Sequence, residues 1–158
     1  MSLPRVDRIL KIESGKSLSA ERTIDSREEH FRDHFPGYPV YPGVLMLEGL
    51  LQSAAWCVRE AEDFSRSQVY LTRCSQAKFS RLVKPDTVLA FHVEVVARRD
   101  AEYEFKGRVE EKGVAVAAAR FQVCSEPLDA ADRRYSRLEQ ALNEKSRRQF
   151  TTLMNSKR

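Results

Sequence analysis

Apolar residues recur at helical spacing in one long stretch of the chain and at strand-like spacing in several shorter ones. Leu47, Leu50, Leu51, Ala54 and Val58 mark the helix, which the pattern places from Gly43 to about Glu62. Pro42 suits its first turn, where a missing N–H costs nothing. Apolar residues lie nearly all round this helix between Val44 and Trp56, as expected of a helix wrapped by other elements. Strand-like segments surround it: Val6–Ile12 and Ser17–Ile24 come before, and Gln68–Phe79, Thr87–Arg98, Glu102–Glu110 and Val114–Cys124 follow. Tyr103, Phe105 and Val109 nearly alternate with polar neighbours, and the Glu110–Gly113 turn carries glycine where a hairpin can need positive φ. Short connections among the last three strands imply an antiparallel meander. One helix with about six strands predicts an α+β fold, a sheet curled over a central helix.

Past Pro127 the pattern changes. Residues Asp129–Met154 read as a second, surface helix with a narrow apolar stripe of Tyr135, Leu138, Leu142, Phe150 and Leu153, broken near Ser146 and Arg147. Such a helix either packs on the same domain or a dimer partner, or hangs free as a basic appendage that contacts something acidic. Charge divides the chain at the same point. The net +4 and pI of about 9.1 reside wholly in residues 127–158, with 8 Lys+Arg against 4 Asp+Glu, whereas residues 1–126 carry 19 of each. The expected organisation is therefore one domain over 1–126 and a basic helical C-terminal extension over 127–158. A chain of 158 residues has the length to bury roughly 70% of its unfolded surface in one core. Nucleic-acid binding is not expected, because the basic tail carries only Tyr135 and Phe150 as aromatics and no nucleic-acid fold signature.

Cys57, Cys74 and Cys124 are odd in number and widely spaced, so they make neither a disulfide framework nor a CxxC pair, and reduced, mostly buried thiols are expected. The first residues carry charges where a signal peptide needs an apolar core, which makes the cytoplasm the default location. From His34 to Val58 the only formal charge is Glu48, but Pro36, Pro39 and Pro42 break the run, leaving too few apolar residues for the roughly 20 of a membrane span.

That uncharged stretch also concentrates the candidate chemistry. It reads HFPGYPVYPGVLMLEGLLQ from His34 to Gln52. Glu48 shares a helical face with Val44, Leu51 and Ala55, where an ionised carboxylate is costly unless paired or protonated. The plainer alternative is that Glu48 and Gln52, one turn apart, edge the helix into solvent. His34 forms an i, i+4 pair with His30, but no third metal ligand follows at a recognisable spacing, and a satisfied structural histidine is an equal reading. No GxSxG, P-loop or dinucleotide fingerprint occurs.

Taken together, HFPG, the closely spaced prolines, PGV at the start of an apolar helix and ExxxQ within it closely resemble the signature of the 3-hydroxyacyl-acyl-carrier-protein dehydratases of the FabZ/FabA type. Val6-Asp7-Arg8, Ala77-Lys78-Phe79 and Val83-Lys84-Pro85 extend the likeness over residues 4 to about 125. The resemblance implies the hotdog fold and reversible removal of water from a (3R)-3-hydroxyacyl thioester, giving the trans-2-enoyl thioester, with no cofactor. By position in the motif, His34 becomes the base that takes the C2 proton, a role suited to an imidazole whose ordinary pKa is about 6.5. The Gly43 and Val44 amides, at a helix N-terminus, become the donors for charge growing on the thioester oxygen. Glu48 becomes the acid for the departing hydroxyl, which requires a raised pKa, and Gln52 orients it or a water. The family likeness further implies an acyl carrier protein as partner and a homodimer in which the histidine of one subunit faces the acid of the other. Larger assemblies, such as a trimer of dimers, follow by the same analogy.

The chain departs from the family pattern at several points. Asp33 stands where glycine usually precedes HFPG, Tyr41 replaces Met or Phe before PGV, the 81–86 turn lacks its usual proline and glycine, and the tract before Val6-Asp7-Arg8 is short. Two other readings keep the fold: a thioesterase in which Glu48 and His34 handle water, and a non-catalytic acyl-binding or assembly protein. An acidic carrier would gain encounter rate from the positive tail.

Overall fold

The computed structural model describes residues 4–128 and 132–157. Six strands, β1 (Arg8–Glu13), β2 (Ser17–Ile24), β3 (Gln68–Phe79), β4 (Thr87–Arg99), β5 (Glu102–Glu111) and β6 (Val114–Glu126), form one antiparallel sheet in the order β1-β2-β4-β5-β6-β3. The β4-β5-β6 meander is the expected one. Its second hairpin turns on Lys112 and Gly113, both at positive φ, the geometry a two-residue hairpin loop requires.

The sheet wraps the helix α2 (Gly43–Ala61), and the whole is the hotdog fold. The helix begins at Gly43, as expected, with Pro42 as its N-cap, whose carbonyl accepts from the Leu45 and Met46 amides. Phe91, Phe105 and Phe121 of β4, β5 and β6 project inward against the helix, and the last two stack with ring centroids 5.8 Å apart. The helix face they cover differs from the expected stripe: Met46, Gly49, Leu50, Ser53, Ala54, Cys57 and Val58 are buried, while Leu47 and Leu51 are only half-buried. Gly49 lets the Phe91 ring approach the helix closely, and Leu50 reaches across to Gly107 of β5. Just beyond the helix, Glu62 is held by the Tyr103 hydroxyl at 3.0 Å and the Ser125 hydroxyl at 2.6 Å, which fixes its end to β5 and β6.

Between β2 and α2 lies α1 (His30–Asp33), a single turn with Phe31 in the core, which no periodicity in the sequence foretold. At the other end of the chain, α3 (Arg133–Asn155) lies back on the domain. Its expected first residues, 129–131, fall outside the described residues. No residue of α3 is fully buried, but Phe150 packs on Phe64 and Trp56 at 5.4 and 6.2 Å, Arg147 bonds the Asp63 carboxylate at 2.9 Å, and Glu139 accepts from the Ser67 amide at 2.7 Å. Tyr135 and Leu138, expected in the apolar stripe, are exposed. The cysteines are free, with Cys57 and Cys124 buried and Cys74 exposed. Among the described residues no helix is long and apolar enough to cross a membrane.

Candidate active site

The segment that carries His34 is shaped by local backbone geometry. The His34 amide closes α1 on the His30 carbonyl at 3.0 Å, and Phe35 and Gly37 then take left-handed conformations that turn the chain sharply. This leaves His34 half-buried and Phe35 and Tyr38 largely exposed. Tyr41 anchors the far end of the turn: its amide donates to the Val83 carbonyl at 2.7 Å, and its ring sinks beside Phe31 and His30. Burial raises the pKa of its phenol. The polar tip that the sequence placed near the start of α2 therefore points into the core. His30 lies in the same buried corner, where burial pulls its imidazole below the ordinary value despite the nearby Glu28 carboxylate.

Gly43 and Val44 open α2, and helical geometry leaves their amides without intrahelical acceptors. The Phe79 ring packs so closely on Gly43 that an added Cβ would sit 3.0 Å from it. One turn on, Glu48 accepts a hydrogen bond from Gln52 Nε2 at 2.9 Å. The other end of the Gln52 amide accepts from the Arg5 backbone N–H at 2.7 Å, so the amide cannot turn over and its NH2 group faces Glu48. Arg5 is itself buried and reaches the Glu28 carboxylate at 3.7 Å, which Arg22 grips at 2.6 Å. The sequence did not single out Arg5 or Glu28. Their only signal was an arginine beside the Val6-Asp7-Arg8 run.

Glu48 and Gln52 line a cleft of about 950 Å³ between α2, the start of β3 and α3. Leu51, Trp56 and Val69 make its apolar floor, and Arg59, Lys145 and Arg148 are its other charged lining residues. The Arg59 guanidinium stacks on Trp56 at 5.2 Å, and burial lowers its pKa. His34 is absent from the lining of this cleft. Within one chain, then, Glu48 and Gln52 come together, the Gly43 and Val44 amides lie on the same helix one turn before them, and His34 stands apart.

A long helix gripped by a curled antiparallel sheet, with a carboxylate held beside a cleft on that helix, defines a hotdog-fold protein. The FabA-like domain model matches residues 1–120, and the chain belongs to that family. It is 37% identical over 131 residues to the 3-hydroxyacyl-acyl-carrier-protein dehydratase FabZ of Myxococcus xanthus, covering 80% of this chain and 86% of that protein. With the FabZ of Anaeromyxobacter sp. the identity is 41% over 120 residues, covering 73% and 76% of the two chains. The match to the FabZ of Pediococcus pentosaceus is 39% identical but spans only 63% of that protein and 60% of this chain. Among solved structures, a dehydratase heterocomplex from Xenorhabdus doucetiae superposes with a TM-score of 0.64 at 12% identity over 89% of this chain and 90% of that one. A thioesterase from Pseudomonas aeruginosa does so at 0.60 and 14%, covering 77% and 81%. At these identities the two structures speak for the fold alone.

Proposed function

We propose that this protein is a 3-hydroxyacyl-acyl-carrier-protein dehydratase, a hydro-lyase of fatty-acid-type biosynthesis that acts as a homodimer in the cytoplasm. Residues 1–126 form the catalytic unit in this reading and 127–158 an added extension. Neutral His34 removes the C2 proton of the (3R)-3-hydroxyacyl thioester, and the electron pair moves onto the thioester oxygen, which the Gly43 and Val44 amides receive. The enolate re-forms the carbonyl as the C3–O bond breaks, and Glu48, protonated, gives its proton to the leaving hydroxyl so that water departs. Return of the His34 proton to Glu48 through solvent completes the cycle.

The observation that carries this reading is the fixed Gln52–Glu48 pair in a cleft whose lining does not include His34. A base supplied to that cleft by a partner subunit satisfies the chemistry, and the open edge of β3, with Tyr70, Leu71 and Phe79 exposed, offers a surface on which a second copy can pair. Three free thiols suit a reducing compartment. The test is hydration of a crotonyl thioester by wild type, His34→Ala and Glu48→Ala. Both variants are expected to lose at least about a hundredfold in kcat with their fold intact. Release of free thiol from a saturated acyl thioester would instead assign hydrolysis, and acyl binding without turnover would assign a non-catalytic role.

A further inference from the structure

α3 lies beyond the part of the chain that matches the family model, yet it supplies one side of the cleft that holds Glu48. The face it turns to the cleft is Lys145, Arg148, Gln149 and Thr152, residues brought together by helical spacing. Of the other α3 cations, Arg134 pairs with Asp132 and Arg147 with Asp63, while Arg133 and Arg137 lie outside the cleft lining. Among the described residues Lys145 and Arg148 enter no ion pair. With Arg59 they set three cations against the single carboxylate of Glu48 in the cleft lining. The helix is also held in place, by Phe150 on Phe64, Arg147 on Asp63 and Glu139 on Ser67. A fixed cationic wall above an apolar floor fits a ligand that is apolar at one end and anionic further along.

We propose that Lys145 and Arg148 bind the phosphate of the phosphopantetheine arm that presents the acyl thioester, making α3 a specificity element for carrier-borne substrate. The inference rests on the dehydratase reading for its substrate, but the binding site stands on the cleft itself. Lysine and arginine at the rim of an open cleft meet the phosphate as screened point contacts, and two of them give a preference for a phosphorylated arm over an unphosphorylated one of about tenfold. That preference should fall as salt rises.

The experiment compares full-length wild type with the Lys145→Ala/Arg148→Ala double variant. Binding of 4′-phosphopantetheine and of pantetheine is measured by calorimetry, and kcat/KM is measured for the 3-hydroxybutyryl thioesters of pantetheine, phosphopantetheine and coenzyme A. Wild type should bind phosphopantetheine about tenfold more tightly than pantetheine, and the double variant should bind the two alike, with the change in turnover confined to KM. Coenzyme A, which shares the pantetheine phosphate, should behave like phosphopantetheine. A further gain with coenzyme A that the double variant loses would assign the wall to nucleotide phosphates and overturn the carrier-arm proposal. Indifference of wild type to the phosphate, or a preference the double variant retains, would also overturn it. Phosphate-selective binding in a protein that turns over none of the thioesters would leave the wall standing and remove the dehydratase reading. Turnover without phosphate selectivity would do the reverse.

Discussion

Replacing Gly49 by alanine sets two opposed effects against each other. In an exposed helix interior alanine is favoured over glycine by about 1 kcal/mol. At this position, however, the new Cβ would lie 2.3 Å from Cε1 and 2.5 Å from Cζ of Phe91, where ordinary contact begins near 3.4 Å. The ring would have to retreat by about 1 Å, and Phe91 is wholly buried with the sheet behind it. Overpacking of this kind costs about 1–3 kcal/mol, and a displacement this large belongs at the upper end, so the clash outweighs the helix gain. The expected net loss is about 2 kcal/mol, equivalent to a fall of roughly 4–8 °C in Tm for a chain of this length. Urea unfolding of Gly49→Ala, Phe91→Leu and the double variant gives the coupling directly. Leucine removes the ring edge, so the double variant should be more stable than the sum of the single changes allows. A Gly49→Ala protein as stable as wild type, or additive behaviour in the cycle, would refute the claim that α2 is set at ring-contact distance from β4.

The same substitution at Gly43 should act differently. The half-exposed Phe79 ring can swing aside from the new Cβ, so stability should change by less than about 1 kcal/mol, whereas the proposed role of the Gly43 and Val44 amides predicts a fall in kcat for a crotonyl thioester, because a methyl group would crowd the approach to them. Removing the Phe150 ring should cost about 2 kcal/mol in urea unfolding, since it is partly buried against Trp56 and Phe64. Glu139 gives a pH signature. Burial opposes its ionisation, but hydrogen bonds from Ser67, Leu128 and Asn143 together hold its carboxyl below the ordinary value of 4.5. Its contribution is therefore present in full above pH 4.5 and lost as pH falls through the lowered folded value. The stability difference between wild type and Glu139→Gln should accordingly shrink on acidification, and a difference that grew below pH 4.5 would contradict the assignment.

Strand positions were legible where alternation was strong and turns were sharp. β2 and β3 have the expected bounds, and the Lys112-Gly113 turn is where glycine placed it. β1 starts two residues late because Val6, though buried, joins the core before the ladder begins. The helix lies where its periodicity places it, and Leu50, Ala54 and Val58 of the expected stripe are buried, whereas Leu47 and Leu51 are only partly so. Periodicity weighs side chains by hydrophobicity and so passes over Gly49 and Ser53, which are also buried there, the Ser53 hydroxyl donating to the Gly49 carbonyl at 2.8 Å. Leu47 and Leu51 pack against the edge of the core, and Leu51 also lines the cleft.

The site divides along the same line. His34, Gly43, Val44, Glu48 and Gln52 lie in one continuous motif, and their spacing on a turn and a helix could be read from the chain. Arg5, Glu28 and the α3 face could not, because each meets the site through contacts between residues far apart in sequence, and none has a local pattern that marks it. Tyr41 shows the limit in a single residue. Its position in the motif was plain, but only the packing of Phe31 and His30 against its ring decides that it points inward.

The most direct test of the proposed mechanism is the activity of a purified mixed dimer with His34→Ala in one subunit and Glu48→Ala in the other, obtained by co-expression with two different tags. If the base and the acid of each site come from different subunits, one of its two sites keeps both groups, and the mixed dimer should hydrate a crotonyl thioester at about half the wild-type rate while each variant homodimer is inactive. A mixed dimer no more active than the homodimers would contradict a site shared between subunits with His34 as base and Glu48 as acid.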